Sequence, residues 1–262
     1  MALNVMKKEL DSLTTVQGVE EEHPPVSILM AADWGSGKTH FCLEHADATC
    51  DAEAKAEAIS HKFDTPNYTV VEKWHEVVAF ALKCAKDPAI RVVAFDTVRS
   101  LEKMAEDEAC EKLGWETLYT NAGGASKYSE VNSRLESLVY MLRYKARKTV
   151  IFTCHLKDEY ANNERTGRQL PEAPKALPRD VNYIIQRTTG VAWPGDKPTT
   201  LSPKALWFKV VKDGALPEWD RPPYVVLLPG MGMDELLDQL ETATDDQYYE
   251  RLRLLGTEVV VE

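Results

Sequence analysis

The sequence predicts an α/β protein with a mostly parallel sheet that helices cover on both faces. Three short apolar segments have the length and composition of buried strands: residues 26–31, 91–96 and 149–154. Helical patterns occur between and around them at residues 72–86, 98–112 and 128–146. Strands that alternate with helices are typical of parallel sheets. Three later strand patterns, of which the last two form a hairpin, predict an antiparallel C-terminal extension: residues 181–187, 206–211 and 224–228.

Size and composition are those of an ordinary globular chain. Its 262 residues, 44% hydrophobic and 28% charged, suit one large domain with small additions or two small domains. No apolar run approaches the roughly 20 residues that cross a bilayer, and the start of the chain lacks an export signal. We therefore expect a cytoplasmic protein with no membrane partner. The five cysteines show no paired spacing, which argues against a metal cluster.

The charge is distributed unevenly along the chain. The net charge is −11, yet residues 141–187 contain ten Lys or Arg against five Asp or Glu. That stretch therefore carries +5 and the remainder −16. Local potential decides whether a phosphate backbone is attracted, so the total charge does not exclude a nucleic-acid partner.

Proline and charge divide the chain into three predicted parts. Residues 1–25 form an appendage, because Pro24 and Pro25 prevent a helix from continuing into the first strand. Residues 26–230 form the core, and residues 231–262 form an acidic helical tail. Within the core, residues 161–179 are polar and lack apolar periodicity, which predicts a long loop.

A glycine-rich turn after the first strand carries the clearest chemical signal. The segment AADWGSGKT ends in a phosphate-binding loop, G-x-x-x-x-G-K-[ST], in which Ala32 replaces the first glycine. A strand precedes it and a helix follows, so backbone N–H groups would face a phosphate chain. Lys38 would contact the β- and γ-phosphates and Thr39 would bind Mg²⁺. ATP and Mg²⁺ are thus the expected cofactors, and the expected nucleotide-binding residues are Asp33, Trp34, Gly35, Ser36, Gly37, Lys38, Thr39 and His40.

Two more polar residues end predicted strands. Asp96 closes the strand at 91–96 and would hold Mg²⁺, usually through a water molecule; alternatively it caps the helix that follows. His155 follows the strand at 149–154, where it would detect the γ-phosphate, although a lone histidine more often makes a structural hydrogen bond. Both are candidate catalytic residues together with Lys38.

A weaker strand pattern at residues 48–52 is accompanied by several acidic residues, one of which would be the general base. Glu53 is the candidate, since an attacking water needs an oriented carboxylate. Asp51 and Glu57 are alternatives, and the stretch also fits an exposed helix face.

The basic stretch after His155 fits a single-stranded nucleic-acid backbone. Few aromatic residues accompany it, so platforms for base stacking are scarce, and a basic loop that only solvates the surface fits the composition nearly as well. The candidate DNA contacts are Arg165, Arg168, Lys175 and Arg179.

Taken in order, these motifs resemble the RecA-like core of P-loop NTPases. They are most similar to phage nucleotide-binding proteins related to the fourth Sak family of single-strand annealing proteins. The likeness runs from about residue 26 to residue 229 through ILMAADWGSGKT, VVEKWHEVVAFAL, VVAFDTVRSL, TVIFTCHLKDE and WFKVVKDGALPEWDRPPY. It implies an ATPase, stimulated by DNA, that forms a filament or ring on single-stranded DNA and acts in annealing or strand exchange. It also suggests a single-strand binding protein as partner and, for a phage protein, the cytoplasm of a bacterial host.

The resemblance assigns a role to the last of these segments. In this family, lysines there reach the ATP of a neighbouring subunit. Lys212 falls on one such position, whereas Gly214 stands at the second, where Lys209 or Arg221 would have to substitute.

The resemblance also places two DNA-binding loops and an oligomerisation segment. The residue at the His155 position couples the γ-phosphate to the second loop, here residues 161–179. The first loop would lie around residues 119–127, and residues 1–25 would pack on a neighbouring subunit.

Three other functions stay open. A P-loop ATPase that acts on a protein, such as a helicase loader or packaging accessory, would use the acidic surface. A non-hydrolysing, nucleotide-gated scaffold is favoured if Glu53 is not a base. A small-molecule kinase ranks last, because the sequence shows no lid with clustered arginines.

Overall fold

A computed structural model describes residues 23–64, 66–114, 124–174, 176–188, 190–191, 199–200, 206–213, 224–227 and 230–241. The strands are β1 (Ser27–Ala31), β2 (Ala48–Asp51), β3 (Tyr68–Val70), β4 (Val92–Asp96), β5 (Thr149–Cys154), β6 (Leu156–Ala161), β7 (Glu164–Pro171), β8 (Tyr183–Thr188), β9 (Gly190–Val191), β10 (Thr199–Thr200), β11 (Leu206–Lys212) and β12 (Tyr224–Leu227). The helices are α1 (Lys38–His45), α2 (Ala56–Ser60), α3 (Trp74–Lys86), α4 (Val98–Leu113), α5 (Gly124–Val139), α6 (Leu177–Asp180) and α7 (Met233–Glu241), and a π-helical stretch, Tyr140–Lys145, extends α5.

Among the described residues, eight strands form one sheet in the order β12–β11–β8–β1–β5–β4–β2–β3. β1 pairs in parallel with β5 on one side and β8 on the other, and β4, β2 and β3 continue the parallel part. β11 runs antiparallel to β8, and β12 antiparallel to β11. The predicted mostly parallel sheet with an antiparallel C-terminal extension is confirmed.

At its centre the sheet is buried on both faces, and successive residues of β1 point into two different apolar clusters. Leu29 and Ala31 pack in a cluster with apolar residues of α3, α4 and α5. Ile28 and Met30 pack in a second cluster with residues of α1 and α7. A strand buried on both faces is a continuous apolar run, which is why β1 could be recognised from the sequence. The expected helices on both faces are confirmed.

The segment after β5 differs from the prediction of a long loop at residues 161–179. β6 and β7 form an antiparallel hairpin, and Leu177–Asp180 is helical. The hairpin is largely exposed, so polar residues occupy both of its faces and the apolar alternation that marks a half-buried strand is missing. Helix α5 begins at Gly124, so residues 124–127 of the expected first DNA loop are helical, and residues 119–123 lie outside the described residues.

The two predicted end segments fall mostly outside the described residues, which omit residues 1–22 and 242–262. The described part of the tail, α7, packs on the sheet through Leu236, Leu237 and Leu240. The division into three parts stays a prediction. In the described part of the chain, no helix is both long enough and apolar enough to cross a bilayer.

Candidate nucleotide site

The candidate site is a cavity of about 570 Å³ at the carboxyl edge of the parallel strands. The strands that end there are β1, β2, β4 and β5, and β1 lies between neighbours that the chain reaches much later. Ligands of open α/β sheets bind at such an edge, where the connections diverge. The lining residues are Trp34, Gly35, Ser36, Gly37, Lys38, Thr39, His40, Glu53, Ala54, Lys55, Ala58, Ile59, Lys62, Asp96, Thr97 and His155. Apart from Asp33, the predicted nucleotide-binding residues of the P-loop segment line this cavity.

The loop between β1 and α1 depends on two glycines with left-handed backbone angles. Gly35 has φ +69° and Gly37 has φ +87°. A Cβ atom on Gly37 would also lie 3.1 Å from the Nη1 atom of Arg187, whereas one on Gly35 would meet nothing within 4 Å. The turn brings the N-terminus of α1 to the cavity, where free N–H groups and the helix dipole favour an anion.

Lys38 is the buried cation of the cavity, with 7% of its surface exposed. Its Nζ atom donates hydrogen bonds to the carbonyl oxygens of Ala32 (3.2 Å) and Asp33 (2.9 Å), and lies 3.0 Å from Nδ1 of His155. Burial lowers the pKa of Lys38, although the charge of Asp96 opposes this. Asp33 therefore contributes its backbone to the position of Lys38.

Asp96 and Thr39, the two candidate Mg²⁺ ligands, are in direct contact. The Thr39 hydroxyl donates to one carboxylate oxygen of Asp96 at 2.5 Å, and the Thr153 hydroxyl donates to the other. Burial raises the pKa of Asp96, and these hydrogen bonds act against that rise. The alternative role, a cap for α4, does not account for these contacts, because the N-cap residue of α4 is Thr97. A hydroxyl and a carboxylate on facing elements are oxygen ligands that suit Mg²⁺.

Glu53 faces the same cavity from the turn after β2. Its Oε1 atom accepts hydrogen bonds from Thr97 (2.9 Å) and Ser100 (3.3 Å), and its Oε2 atom pairs with the ammonium of Lys55. Burial raises the pKa of Glu53, but the hydrogen bonds from Lys55 and Thr97 outweigh it, so the pKa is lower than usual. Glu53 is thus a carboxylate held in place by hydrogen bonds, an orientation that its candidate role as a general base would need.

The two alternative bases are placed differently. Asp51 is fully buried, and its carboxylate accepts hydrogen bonds from the backbone N–H groups of Glu53 (3.0 Å) and Ala56 (2.7 Å). It therefore shapes the turn that presents Glu53 to the cavity. Glu57 is exposed and does not line the cavity.

His155 connects the P-loop to the hairpin. Its ring stacks on Trp34, with centroids 3.5 Å apart and an interplanar angle of 15°. Burial and the charge of Lys38 lower the pKa of His155, which leaves a neutral ring able to accept from Lys38. Its Nε2 atom is buried without a hydrogen-bond partner among the described residues. Its backbone carbonyl accepts from the N–H of Glu172, just beyond β7, at 2.7 Å.

Comparison with known proteins identifies the family. The model of a family described as an AAA domain matches residues 24–189, which include the P-loop, Glu53, Asp96 and His155. The chain belongs to the AAA domain family. A search of curated proteins returned no match. Among solved structures, the crystal structure of the RadB recombinase is similar with a TM-score of 0.44 and 14% identity, over 78% of this chain and 86% of that chain.

The AAA domain is a P-loop ATPase domain, and P-loop ATPases bind their nucleotide together with Mg²⁺. The residues present fit that ligand: Lys38 and the start of α1 would hold the phosphates, and Thr39 and Asp96 would hold the metal. The bound Mg²⁺ would neutralise charge on the phosphate oxygens.

Lys212 lies outside the cavity of this AAA-domain protein. Its Nζ atom donates to the carbonyl oxygens of Pro178 (2.9 Å), Arg179 (2.8 Å) and Val181 (2.6 Å), at the end of α6. Within its own subunit it therefore caps a helix C-terminus. Its role at a neighbour's ATP stays a prediction. Of the two residues expected to substitute at the second position, Lys209 is exposed on β11 and Arg221 lies outside the described residues, as does Gly214 itself.

The candidate DNA residues are distributed over the hairpin and α6. Arg165 and Arg168 are exposed on β7, and Arg165 pairs with Asp158 across the hairpin. Arg179 is exposed near the end of α6. Lys175 lies outside the described residues.

Sequence reasoning missed two contributors to the site. Thr153 precedes His155 by two residues on β5 and turns its hydroxyl to Asp96. Lys55 follows Glu53 by two residues and pairs with it. For Thr153 the available signal was its two-residue spacing from His155 along β5, because alternate residues of a strand face the same side. Lys55 lies in a turn, where this spacing carries no such signal.

Proposed function

We propose that this AAA-domain protein hydrolyses ATP and uses the nucleotide to control its binding to single-stranded DNA, as a homo-oligomer, in recombination or annealing. The observation that carries the proposal is the position of His155. Its ring contacts Lys38 and Trp34 in the nucleotide cavity, and the next residue begins the exposed hairpin β6–β7. A change at the phosphates would therefore reach the hairpin without passing through any other element.

The hairpin has the chemistry that a phosphate backbone needs. Arg165, Arg168 and Lys157 are exposed on it, and Tyr160 exposes 64% of its surface, enough to stack on a base. The ion pair between Arg165 and Asp158 is exposed, so a phosphate can compete for the guanidinium. The bond from Glu172 to the His155 carbonyl closes the hairpin at its base, which ties both ends to the cavity.

The residues around the cavity support hydrolysis. Glu53 would accept a proton from a water molecule whose oxygen bonds to the terminal phosphorus, while the bond from that phosphorus to the bridging oxygen breaks. Lys38 and the N–H groups at the start of α1 would stabilise the negative charge that develops. Thr97 and Ser100 hold Glu53 in place through hydrogen bonds to its Oε1 atom, so the Oε2 atom would be the one that accepts the proton.

The test measures binding of a labelled single strand by fluorescence anisotropy with a non-hydrolysable ATP analogue, with ADP and without nucleotide. We expect the analogue to give the tightest binding, and single-stranded DNA to raise the ATPase rate. Arg168→Gln should reduce the slope of log affinity against log salt by about 0.7, the value for one phosphate contact on a single strand. Arg91→Gln is the matched control, because Arg91 is exposed before β4, at the opposite edge of the sheet.

A protein that hydrolyses ATP at the same rate with and without DNA, and shows no salt-dependent DNA binding in any nucleotide state, would contradict the proposal. That result would favour the protein-partner ATPase. Binding without hydrolysis would favour the nucleotide-gated scaffold.

A further inference from the structure

A second lysine lies in the nucleotide cavity beside the P-loop lysine. Lys55 is the residue just before α2, on the turn that follows Glu53. Its ammonium pairs with the Glu53 carboxylate and lies 5.1 Å from the centre of the Trp34 ring. It therefore stands between the candidate base and the P-loop, in the part of the cavity where the end of a phosphate chain would come.

The backbone of this turn is held by hydrogen bonds to a buried carboxylate, whereas the side chain of Lys55 is held in a partly exposed ion pair. The buried carboxylate of Asp51 binds the N–H groups of Glu53 and Ala56, one on each side of Lys55. The side chain of Lys55 is 47% exposed. The side chain of Glu53 is less exposed, at 16%, but its Oε1 atom keeps the hydrogen bonds from Thr97 and Ser100 when the ammonium leaves. A phosphate oxygen in the cavity can therefore take the ammonium without leaving the carboxylate unpaired.

The charges of the cavity favour an anion at this place. Burial lowers the pKa of Lys38 most, and the neighbouring charge of Lys55 lowers it further. The same charge also lowers the pKa of His155, after burial and Lys38. Two cations that repel each other in one cavity are stabilised when a phosphoryl group lies between them. The lysine expected from a neighbour, Lys212, is occupied by three carbonyl oxygens of its own subunit.

We propose that Lys55 is a second phosphate-binding cation, which contacts the terminal phosphoryl oxygens of ATP within the same subunit. The inference rests on the proposed ATPase function. As Lys55 leaves Glu53, the carboxylate keeps its hydroxyl donors Thr97 and Ser100 on one oxygen and frees the other oxygen for the attacking water. ADP lacks the oxygens that Lys55 would contact, so Lys55 would contribute to the preference for ATP over ADP.

The test compares equilibrium affinities for a non-hydrolysable ATP analogue and for ADP, each with Mg²⁺, by titration calorimetry. In Lys55→Met we expect at least a tenfold loss for the analogue, the size of one hydrogen bond to a charged group, and no more than about a twofold change for ADP. Lys55→Arg should keep most of the preference for the analogue. Lys103→Met is the matched control with the same loss of charge, because Lys103 is exposed on α4 and does not line the cavity, and it should change neither affinity. Thermal unfolding of each variant checks that the fold is kept.

Two results would overturn the inference: equal losses for both nucleotides in Lys55→Met, or an unchanged preference for the analogue. If the wild-type protein binds and hydrolyses ATP in either case, only the role of Lys55 fails. If the wild-type protein binds neither nucleotide, the proposed function fails and this inference with it.

Discussion

The buried carboxylate of Asp96 is costly to the folded protein before any ligand binds. It is 1% exposed, and burial raises its pKa above the usual 3.8. A carboxyl group whose pKa is higher in the folded state binds its proton more tightly there, so stability falls as the pH rises above the unfolded pKa. At neutral pH the ionised group therefore destabilises the protein, a cost that its proposed role with Mg²⁺ would explain.

We predict that Asp96→Asn raises the melting temperature of the protein in EDTA by a few degrees, roughly the effect of 1 kcal/mol in a chain of this size. The same change should abolish the further stabilisation by ATP with Mg²⁺. Asp51→Asn is the control: its carboxylate is also buried, but two backbone N–H groups bind it, so this variant should lose stability. Thermal unfolding measures both. A metal-free Asp96→Asn protein that melts below the wild type would contradict the prediction.

The two P-loop glycines allow a separation of backbone strain from steric contact. Both have left-handed angles, so alanine at either should cost about 1–2 kcal/mol. Only at Gly37 would the added Cβ atom also lie close to the guanidinium of Arg187. We therefore predict that Gly37→Ala lowers the melting temperature more than Gly35→Ala. In an Arg187→Ala background the difference between the two should shrink, and an unchanged difference would exclude the contact as its cause.

The positions of site residues at strand ends could be predicted from the sequence, whereas positions set by a tertiary turn could not. Asp96 and His155 each follow an apolar run, and the carboxyl ends of parallel strands meet at one edge. The placement of Lys55 depends on the turn that Asp51 holds, and no local pattern shows which way its ammonium points. For the same reason Asp51 was a competing base from the sequence and has a backbone-holding role in the structure.

Helices α4 and α5 are joined by a charge cluster within their packed interface. Arg134 is 4% exposed and binds Glu108 on α4 as well as Glu130 one turn away. Burial raises the pKa of Glu108, but Lys112 and Arg134 outweigh it and the pKa is lower than usual. This contribution to stability is therefore present above the unfolded pKa and is lost as the pH falls through the folded one.

Glu108 has a buried partner, Arg134, and a more exposed one, Lys112. Removal of Arg134 should lower the free energy of unfolding far more than removal of Lys112. We predict that Arg134→Ala lowers the free energy of unfolding by about 3–5 kcal/mol, because Glu108 loses its buried partner. Lys112→Ala removes another partner of Glu108, but one at the surface, and should cost at most about 1 kcal/mol. Urea unfolding at neutral pH measures both values. Equal losses would show that Arg134 contributes no more than a surface ion pair.

At the scale of elements, the burial of a strand decides whether its sequence pattern predicts it. The three central strands β1, β4 and β5 are mostly apolar and fully buried, and they could be predicted with bounds close to those observed. The hairpin β6–β7 has polar residues on both faces, so its pairing depends on backbone hydrogen bonds that leave no apolar pattern. The same exposure makes it available to a partner.

At the scale of the whole molecule, the resemblance and the structure give different expectations for Lys212. The resemblance makes the nucleotide site a shared one, with Lys212 at a neighbour's ATP. In the subunit itself, the ammonium already binds three carbonyl oxygens at the end of α6. The ammonium would have to leave all three carbonyl oxygens to act across an interface. The nucleotide cavity already contains a second lysine of the same subunit, Lys55.

We therefore predict that Lys212→Ala lowers the melting temperature through the loss of this helix cap and keeps its ATPase activity. Lys103→Ala, which removes an exposed lysine on α4, is the control and should change neither. Mixtures of Lys212→Ala subunits with inactive Lys38→Ala subunits should hydrolyse ATP no faster than the Lys212→Ala subunits alone. If Lys212 acted across an interface, each single variant would be inactive, and about a quarter of the interfaces in an equal mixture would regain both lysines. Activity that appears only on mixing would show that the site is shared between subunits.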